Sequence, residues 1–218
     1  MGIFTHLSIK SRSKKMQMFY EIFSPTEETK ILDLGGEIDP NNRLLQLIDS
    51  YKWKNNITAL NISPEHVSLI KNNYPEVDAV IGDACSLPWP DKYFDIIYSN
   101  AVIEHVGNID KQKKMADEIM RVGKKWFITT PNRFYPFEFH MRLPLVTLLP
   151  WDCYLLVGRF ITYNHDKNKY TIGLFPKRTD LRLMSLKELR FCFPDSNIIK
   201  QRITFWPETL IVTGVKHK

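Results

Sequence analysis

Several short apolar runs end on residues able to hold a small polar ligand. Lys30 to Leu34 leads into Asp33-Leu34-Gly35-Gly36-Glu37. Glycine there lets a ligand approach the backbone, and the flanking carboxylates can accept hydrogen bonds from a cationic ammonium. A tight strand-to-helix turn uses the same two glycines, so this motif alone leaves both readings open. Asn61 ends Ile57 to Ile62, where an amide can meet sugar hydroxyls, although Asn is equally a common turn residue. Asp83-Ala84 follows Val77 to Ile81 and offers a carboxylate to an amino group such as that of adenine. Ser99-Asn100 closes Tyr93 to Ser99. A second set of residues is suited to moving protons. Glu104-His105 comes first: the imidazole of His105, near neutrality, fits a general base, and a residue that caps or packs beneath a helix is the other reading. The run Asn132 to His140 carries Arg133, Glu138 and His140 among aromatics, which marks it as a functional loop. Glu138 and His140 are the further candidates for the base.

The elements that must position these residues alternate. Apolar runs at 30–34, 57–62, 77–81, 93–99 and 125–130 read as strands. Between them lie helix-like segments: Pro40 opens one, Ser63-Pro64-Glu65 starts a second with Ser63 as N-cap, and 110–121 forms a third. After a long excursion from 131 to 179, a helix at 185–191 precedes two closing strands at 198–205 and 210–215. This order predicts an α/β fold, a doubly wound, mostly parallel seven-stranded sheet with right-handed crossovers and an antiparallel last strand. Ligands of such sheets bind at the carboxyl ends of the strands, and every motif above falls at such an end.

Taken in order, ILDLGG, ALNIS, GDACSLPWPDKYFDIIYSNAVIEHV and KKWFITTPN resemble the successive motifs of class I S-adenosylmethionine-dependent methyltransferases, a Rossmann-like family. The nearest likeness is to its broad small-molecule (type 11-like) group, and it spans residues 30–131. The resemblance implies S-adenosylmethionine as cofactor, S-adenosylhomocysteine as product, and no metal. It implies that Asp33, Gly35, Gly36 and Glu37 line the methionine part, that Asn61 faces the ribose and Ile62 the adenine, that Asp83 and Ala84 bind the adenine edge, and that Asn100 lies beneath the sulfonium. Two departures stand out. Glu37 and Asp39 occupy the places of the second and third glycines of the family pattern, and Asn61 replaces the usual acidic residue. A neutral partner makes a hydrogen bond about half as strong as a charged one, so weaker cofactor binding is expected.

The resemblance further implies methyl transfer to an oxygen or nitrogen of a small molecule. The excursion reads as a cap-like insertion in a single domain. Its apolar residues either line a pocket for an apolar or aromatic acceptor or pack on the sheet or a second subunit. The competing readings are a non-catalytic partner that retains the fold, prompted by Glu37, Asp39 and Asn61, and a nucleic-acid methyltransferase. The latter is prompted by 30 Lys plus Arg against 24 Asp plus Glu, a net charge of +6. Against it, Ser99-Asn100-Ala101-Val102 stands where an Asn/Asp-Pro-Pro-aromatic motif belongs, and no nucleophilic Cys lies near the fourth or fifth strand. The absence of G-x-G-x-x-G counts against a nicotinamide dehydrogenase. The basic excess gathers at Lys10, Arg12, Lys14 and Lys15, on an N-terminal arm or solvated amphipathic helix over residues 1–29, with weak contact to a membrane surface as the other reading. Three dispersed cysteines, Cys85, Cys153 and Cys192, show no zinc-type spacing and argue against a disulfide framework. The stretch Leu143 to Tyr163 is broken by Pro144, Pro150, Asp152 and Arg159, so no transmembrane span is expected. A cytoplasmic protein, with homo-oligomers allowed, completes the expectation.

Overall fold

In the computed structural model, residues 3–38, 46–138, 141–164, 169–174 and 181–215 are described. In chain order they form helix α1 (Ile3–Phe23), β1 (Ile31–Leu34), α2 (Leu47–Ser50), β2 (Ile57–Asn61), α3 (Pro64–Asn73), β3 (Asp78–Ile81), β4 (Phe94–Asn100), α4 (Ile109–Val122) and β5 (Gly123–Pro131). The excursion follows, with β6 (Phe137–Glu138), β7 (Leu143–Pro144), α5 (Trp151–Phe160), β8 (Ile161–Asn164) and β9 (Lys169–Ile172). Last come α6 (Leu186–Cys192), β10 (Asn197–Gln201) and β11 (Thr209–Val215).

Seven of the described strands make one sheet in the order β3-β2-β1-β4-β5-β11-β10. β1 pairs in parallel with β2 on one side and β4 on the other, with Ile31 opposite both Ile57 and Ile96. β11 runs antiparallel between β5 and β10. The chain winds outward from β1 to β3, then returns to the far side of β1 as β4. Strand order therefore reverses between β1 and β4, and a crevice opens at their carboxyl ends.

Both faces of the sheet are covered, which is why β1 is buried along its whole length. On one face α4 and α6 set Met115, Ile119 and Leu189 against Leu32, Ile97 and Trp126. On the other, α1, α2 and α3 set Phe19, Ile48 and Ile70 against Ile31, Ile57 and Phe127. Local sequence explains where the helices begin. The Ser63 hydroxyl accepts from the His66 amide with Pro64 at the first helical position, and Asn108 caps Lys111. Ser185 and Glu188 close a reciprocal capping box. Of the helix expected from Pro40, residues 39–45 lie outside the described residues.

The N-terminal segment is a helix with a buried side rather than a loose arm. Phe19 is fully buried, its ring meeting Tyr98 and Phe127 edge-on at centroid distances of 5.3 and 5.6 Å. Lys15, one turn earlier, is also buried, so the basic run is split between solvent and interior. The excursion contributes to a small core in which Met141, Val146, Tyr154 and Leu155 cluster with Leu181 and Leu183 just beyond it. Leu145, Leu148, Leu156 and Phe160 remain exposed. Among the described residues no helix is long and apolar enough to cross a membrane.

Candidate active site

The crevice at the switch point is a cleft of about 690 Å³. Gly35 and Glu37 from the β1 loop, Asn61 and Ile62 from the end of β2, Asp83 and Ala84 after β3, and Asn100 and His105 after β4 all line it. These residues span 71 positions of sequence and meet because four parallel strands end on one edge of the sheet. Ile62, an apolar side chain, stands 73% exposed. Asp83 is exposed, and one of its oxygens accepts the Cys85 amide at 2.8 Å.

Asp33 and Gly36 sit one layer behind the lining. The Asp33 carboxylate is 5% exposed, and its Oδ2 lies 3.3 Å from where a Cβ on Gly36 would stand. Burial, reinforced by the Glu37 carboxylate, pushes the Asp33 acid up to about 8. Gly35 adopts φ +77°, and a Cβ there would lie 2.3 Å from Val102 Cγ2. Glycine is needed on both counts, for the left-handed conformation and for the close approach of the β4 loop.

Asn61 and Glu37, two of the residues that depart from the expected pattern, each hold the β1 loop. The Asn61 amide Nδ2 donates to the Gly36 carbonyl at 2.9 Å, while its Oδ1 accepts the Ser63 amide at 2.9 Å. A carboxylate at position 61 has no proton to donate to that carbonyl. Asn61 thus ties the β1 loop to the end of β2. One N–H and one lone pair of its amide are still unaccounted for by these bonds. The Glu37 Oε1 accepts from Gln46 Nε2 at 3.1 Å, which draws the loop toward the start of α2. Asp39 lies outside the described residues.

A second, smaller cavity of about 200 Å³ adjoins the cleft and shares Asn100 and Ala101 with it. Ala101 has φ +59°, a left-handed conformation that costs a non-glycine residue about 1–2 kcal/mol, held here by its amide donating to the Thr129 carbonyl at 2.9 Å. Asn100 Oδ1 accepts from Lys15 Nζ at 2.7 Å and from the Thr129 hydroxyl at 2.8 Å. Burial and the neighbouring Arg12 lower Lys15 to about 7, against the opposing pull of Glu104 and Glu208.

The expected proton-transfer residues separate. His105 lines the cleft at the end of a 3-10 turn, Ile103–His105. Glu138 is buried in the excursion, where its carboxylate accepts the Met141 amide, and it lines neither cavity. His140 lies outside the described residues. Sequence reasoning missed Arg12, Lys15 and Glu208 as site residues around the second cavity, while Glu104, singled out together with His105, lines it as well. The available signal was the recurrence of Leu7, Ser8, Ser11, Arg12 and Lys15 at helical spacing, a mixed polar face unsuited to plain core packing. Among the described residues no three His, Cys, Asp or Glu side chains converge as a metal-binding group.

A sheet in this order, with one antiparallel strand and a cleft at the ends of β1 to β4, defines a Rossmann-like methyltransferase fold. Comparison with known proteins agrees. A family model described as a methyltransferase domain matches residues 40–126. A Mycolicibacterium smegmatis protein named as a probable S-adenosylmethionine-dependent methyltransferase is 29% identical over 77 residues, 35% of this chain. A ubiquinone/menaquinone biosynthesis C-methyltransferase of Bartonella bacilliformis is 25% identical over 169 residues, 71% of this chain. The matched regions span 30% and 61% of those two relatives. The crystal structure of an S-adenosylmethionine-dependent methyltransferase from Clostridium acetobutylicum superposes with a TM-score of 0.62 at 13% identity, over 94% of this chain and 90% of that one. In fold the chain is similar to S-adenosylmethionine-dependent methyltransferases, and part of its sequence, residues 40–126, matches the methyltransferase-domain model.

Proposed function

We propose that the protein transfers a methyl group from S-adenosylmethionine to an oxygen or nitrogen of a small molecule. The observation that carries this reading is the meeting of two cavities at Asn100 and Ala101, the larger edged by the strand ends and the smaller beside it. Methyl transfer from a sulfonium is an in-line displacement that expels a neutral thioether. It needs nucleophile and methyl group aligned across a junction of this kind, and alignment alone can supply ~7–11 kcal/mol of the barrier.

In this reading Asp33, Gly35, Gly36 and Glu37 hold the methionine end. Asn61 takes the ribose, Ile62 covers the adenine, Asp83 accepts from its amino group with the Ala84 amide beside it, and Asn100 lies beneath the sulfonium. His105 is the proposed general base for a hydroxyl acceptor, worth about 10²–10⁴-fold in rate. Glu138 and His140 remain proposals of the same kind from the excursion.

Calorimetry with S-adenosylhomocysteine tests the cofactor half, with Asp83→Ala expected to weaken binding. Absence of binding at millimolar ligand would overturn the reading. Transfer of labelled methyl from S-adenosylmethionine across a panel of small acceptors tests the rest, and binding without transfer would instead favour a non-catalytic partner. The name of the Bartonella relative motivates carbon as a second kind of acceptor atom. Analysis of the labelled product by NMR distinguishes a methyl on carbon from one on oxygen or nitrogen.

A further inference from the structure

The smaller cavity is lined by two cations, Arg12 and Lys15, and two carboxylates, Glu104 and Glu208, which differ in how they are partnered. Glu208 is fully engaged: Oε1 accepts from Gln201 Nε2 at 3.1 Å and from the Ser11 hydroxyl at 3.5 Å, and Oε2 accepts the Ile203 amide at 2.9 Å. Glu104 Oε2 accepts the Thr130 hydroxyl at 3.0 Å. On the cationic side, the Lys15 ammonium donates to a neutral amide oxygen, Asn100 Oδ1. Arg12 Nη1 is buried and has no hydrogen-bond partner among the described residues. A guanidinium N–H removed from water without an acceptor is unfavourable, and an anionic oxygen placed against it relieves that cost through a charge-assisted bond.

Arg12 and Lys15 reach the cavity from one face of α1, and α1 is fixed against the sheet by Phe19. The cationic wall is therefore a built part of the fold and not a trailing arm. The volume also discriminates. About 200 Å³ admits a single ring or a short chain, since an engineered apolar cavity of ~150 Å³ accommodates benzene. The exposed leucines of the excursion do not line it, so a long apolar tail has no groove there.

We propose that this cavity is the acceptor subsite and takes a small molecule bearing a carboxylate, anchored by Arg12 with Lys15 beside it. The proposal rests on the methyltransferase reading for its location next to the methyl group, and it adds the chemical class of the acceptor. Burial lowers the Lys15 ammonium toward neutrality, and an anionic occupant restores its protonated form. That makes the second cation conditional on the ligand, while Arg12 remains charged throughout.

The test is calorimetry at neutral pH on protein saturated with S-adenosylhomocysteine, using benzoate and its monohydroxy derivatives against the corresponding benzamides. The acids are expected to bind at least about tenfold more tightly than the amides. Arg12→Gln should abolish that preference while leaving S-adenosylhomocysteine affinity within about threefold, because Arg12 does not line the cofactor cleft. An unchanged thermal unfolding midpoint confirms that the variant is folded, and Arg12→Lys should recover part of the preference. Equal binding of acid and amide, a preference that survives Arg12→Gln, or no binding of either at millimolar concentration overturns the proposal while the methyltransferase reading stands. If S-adenosylhomocysteine itself does not bind, that reading fails instead, and the same acid and amide comparison on the unliganded protein still decides the carboxylate subsite.

Discussion

Asp33 makes the stability of this protein fall as pH rises. Its acid stands at about 8 in the folded protein, because the carboxyl is buried and faces Glu37, against an ordinary value of 3.8. Between those values the folded state holds a proton that the unfolded chain has lost. The contribution is therefore fully favourable below about pH 4 and is lost progressively as pH climbs through 8, with a slope of ~1.4 kcal/mol per pH unit. From about pH 6 to about pH 7.5 the loss from this one group comes to about 2 kcal/mol. Asp33→Asn keeps the shape and removes the titration. Urea unfolding of both proteins across that range should give curves that diverge, the wild type losing about 2 kcal/mol more than the variant. Parallel curves would refute the reasoning. A methionine ammonium bound near Asp33 favours its ionised form. Binding of S-adenosylhomocysteine at about pH 7 should then release a proton, up to one per site, read by calorimetry in buffers of different ionisation enthalpy.

Three further substitutions probe how the site is held. Asn61→Asp moves the residue toward the family pattern, yet it removes the donor to the Gly36 carbonyl at 2.9 Å. It should weaken S-adenosylhomocysteine binding by about tenfold, the equivalent of ~1.4 kcal/mol, and tighter binding in calorimetry would count against the loop-tying role. Gly35→Ala brings a Cβ to 2.3 Å from Val102 Cγ2 at φ +77°. The left-handed conformation alone costs about 1–2 kcal/mol, so both the thermal midpoint and cofactor affinity should drop, and retention of both would show that the β4 loop yields freely. Phe19→Ala empties a fully buried site between Tyr98 and Phe127 and should cost about 3–5 kcal/mol. Denaturant unfolding that shows less than about 1 kcal/mol would mean that α1 is not anchored there.

The strand and helix pattern was legible because it is local. Residues 57–61 carry an apolar run of strand length, and Ser63-Pro64 marks the following helix by capping chemistry that needs no distant partner. The placement of Asp83 and Asn100 followed from the same logic, since both stand at strand ends on one edge of a parallel sheet. The reading of residues 1–29 was less complete. A run of Lys and Arg looks solvated in sequence, and only packing shows that Lys15 turns inward while Lys14 stays exposed. Glu138 is also placed by packing, its buried carboxylate accepting the Met141 amide inside the excursion.

What the amino-acid order settled unaided was the alternation of elements, the edge on which they converge, and the residue types on that edge. All of these follow from periodicity and from steric demands within a few residues. Tertiary structure alone decided that Lys15 meets Asn100 across 85 positions, and that Asn61 reaches back 25 positions to hold Gly36. It also decided that α1 closes a second cavity beside the first. Such contacts depend on how whole elements dock, and docking is driven by buried apolar area, which is nondirectional and leaves no signature at the polar residues it brings together.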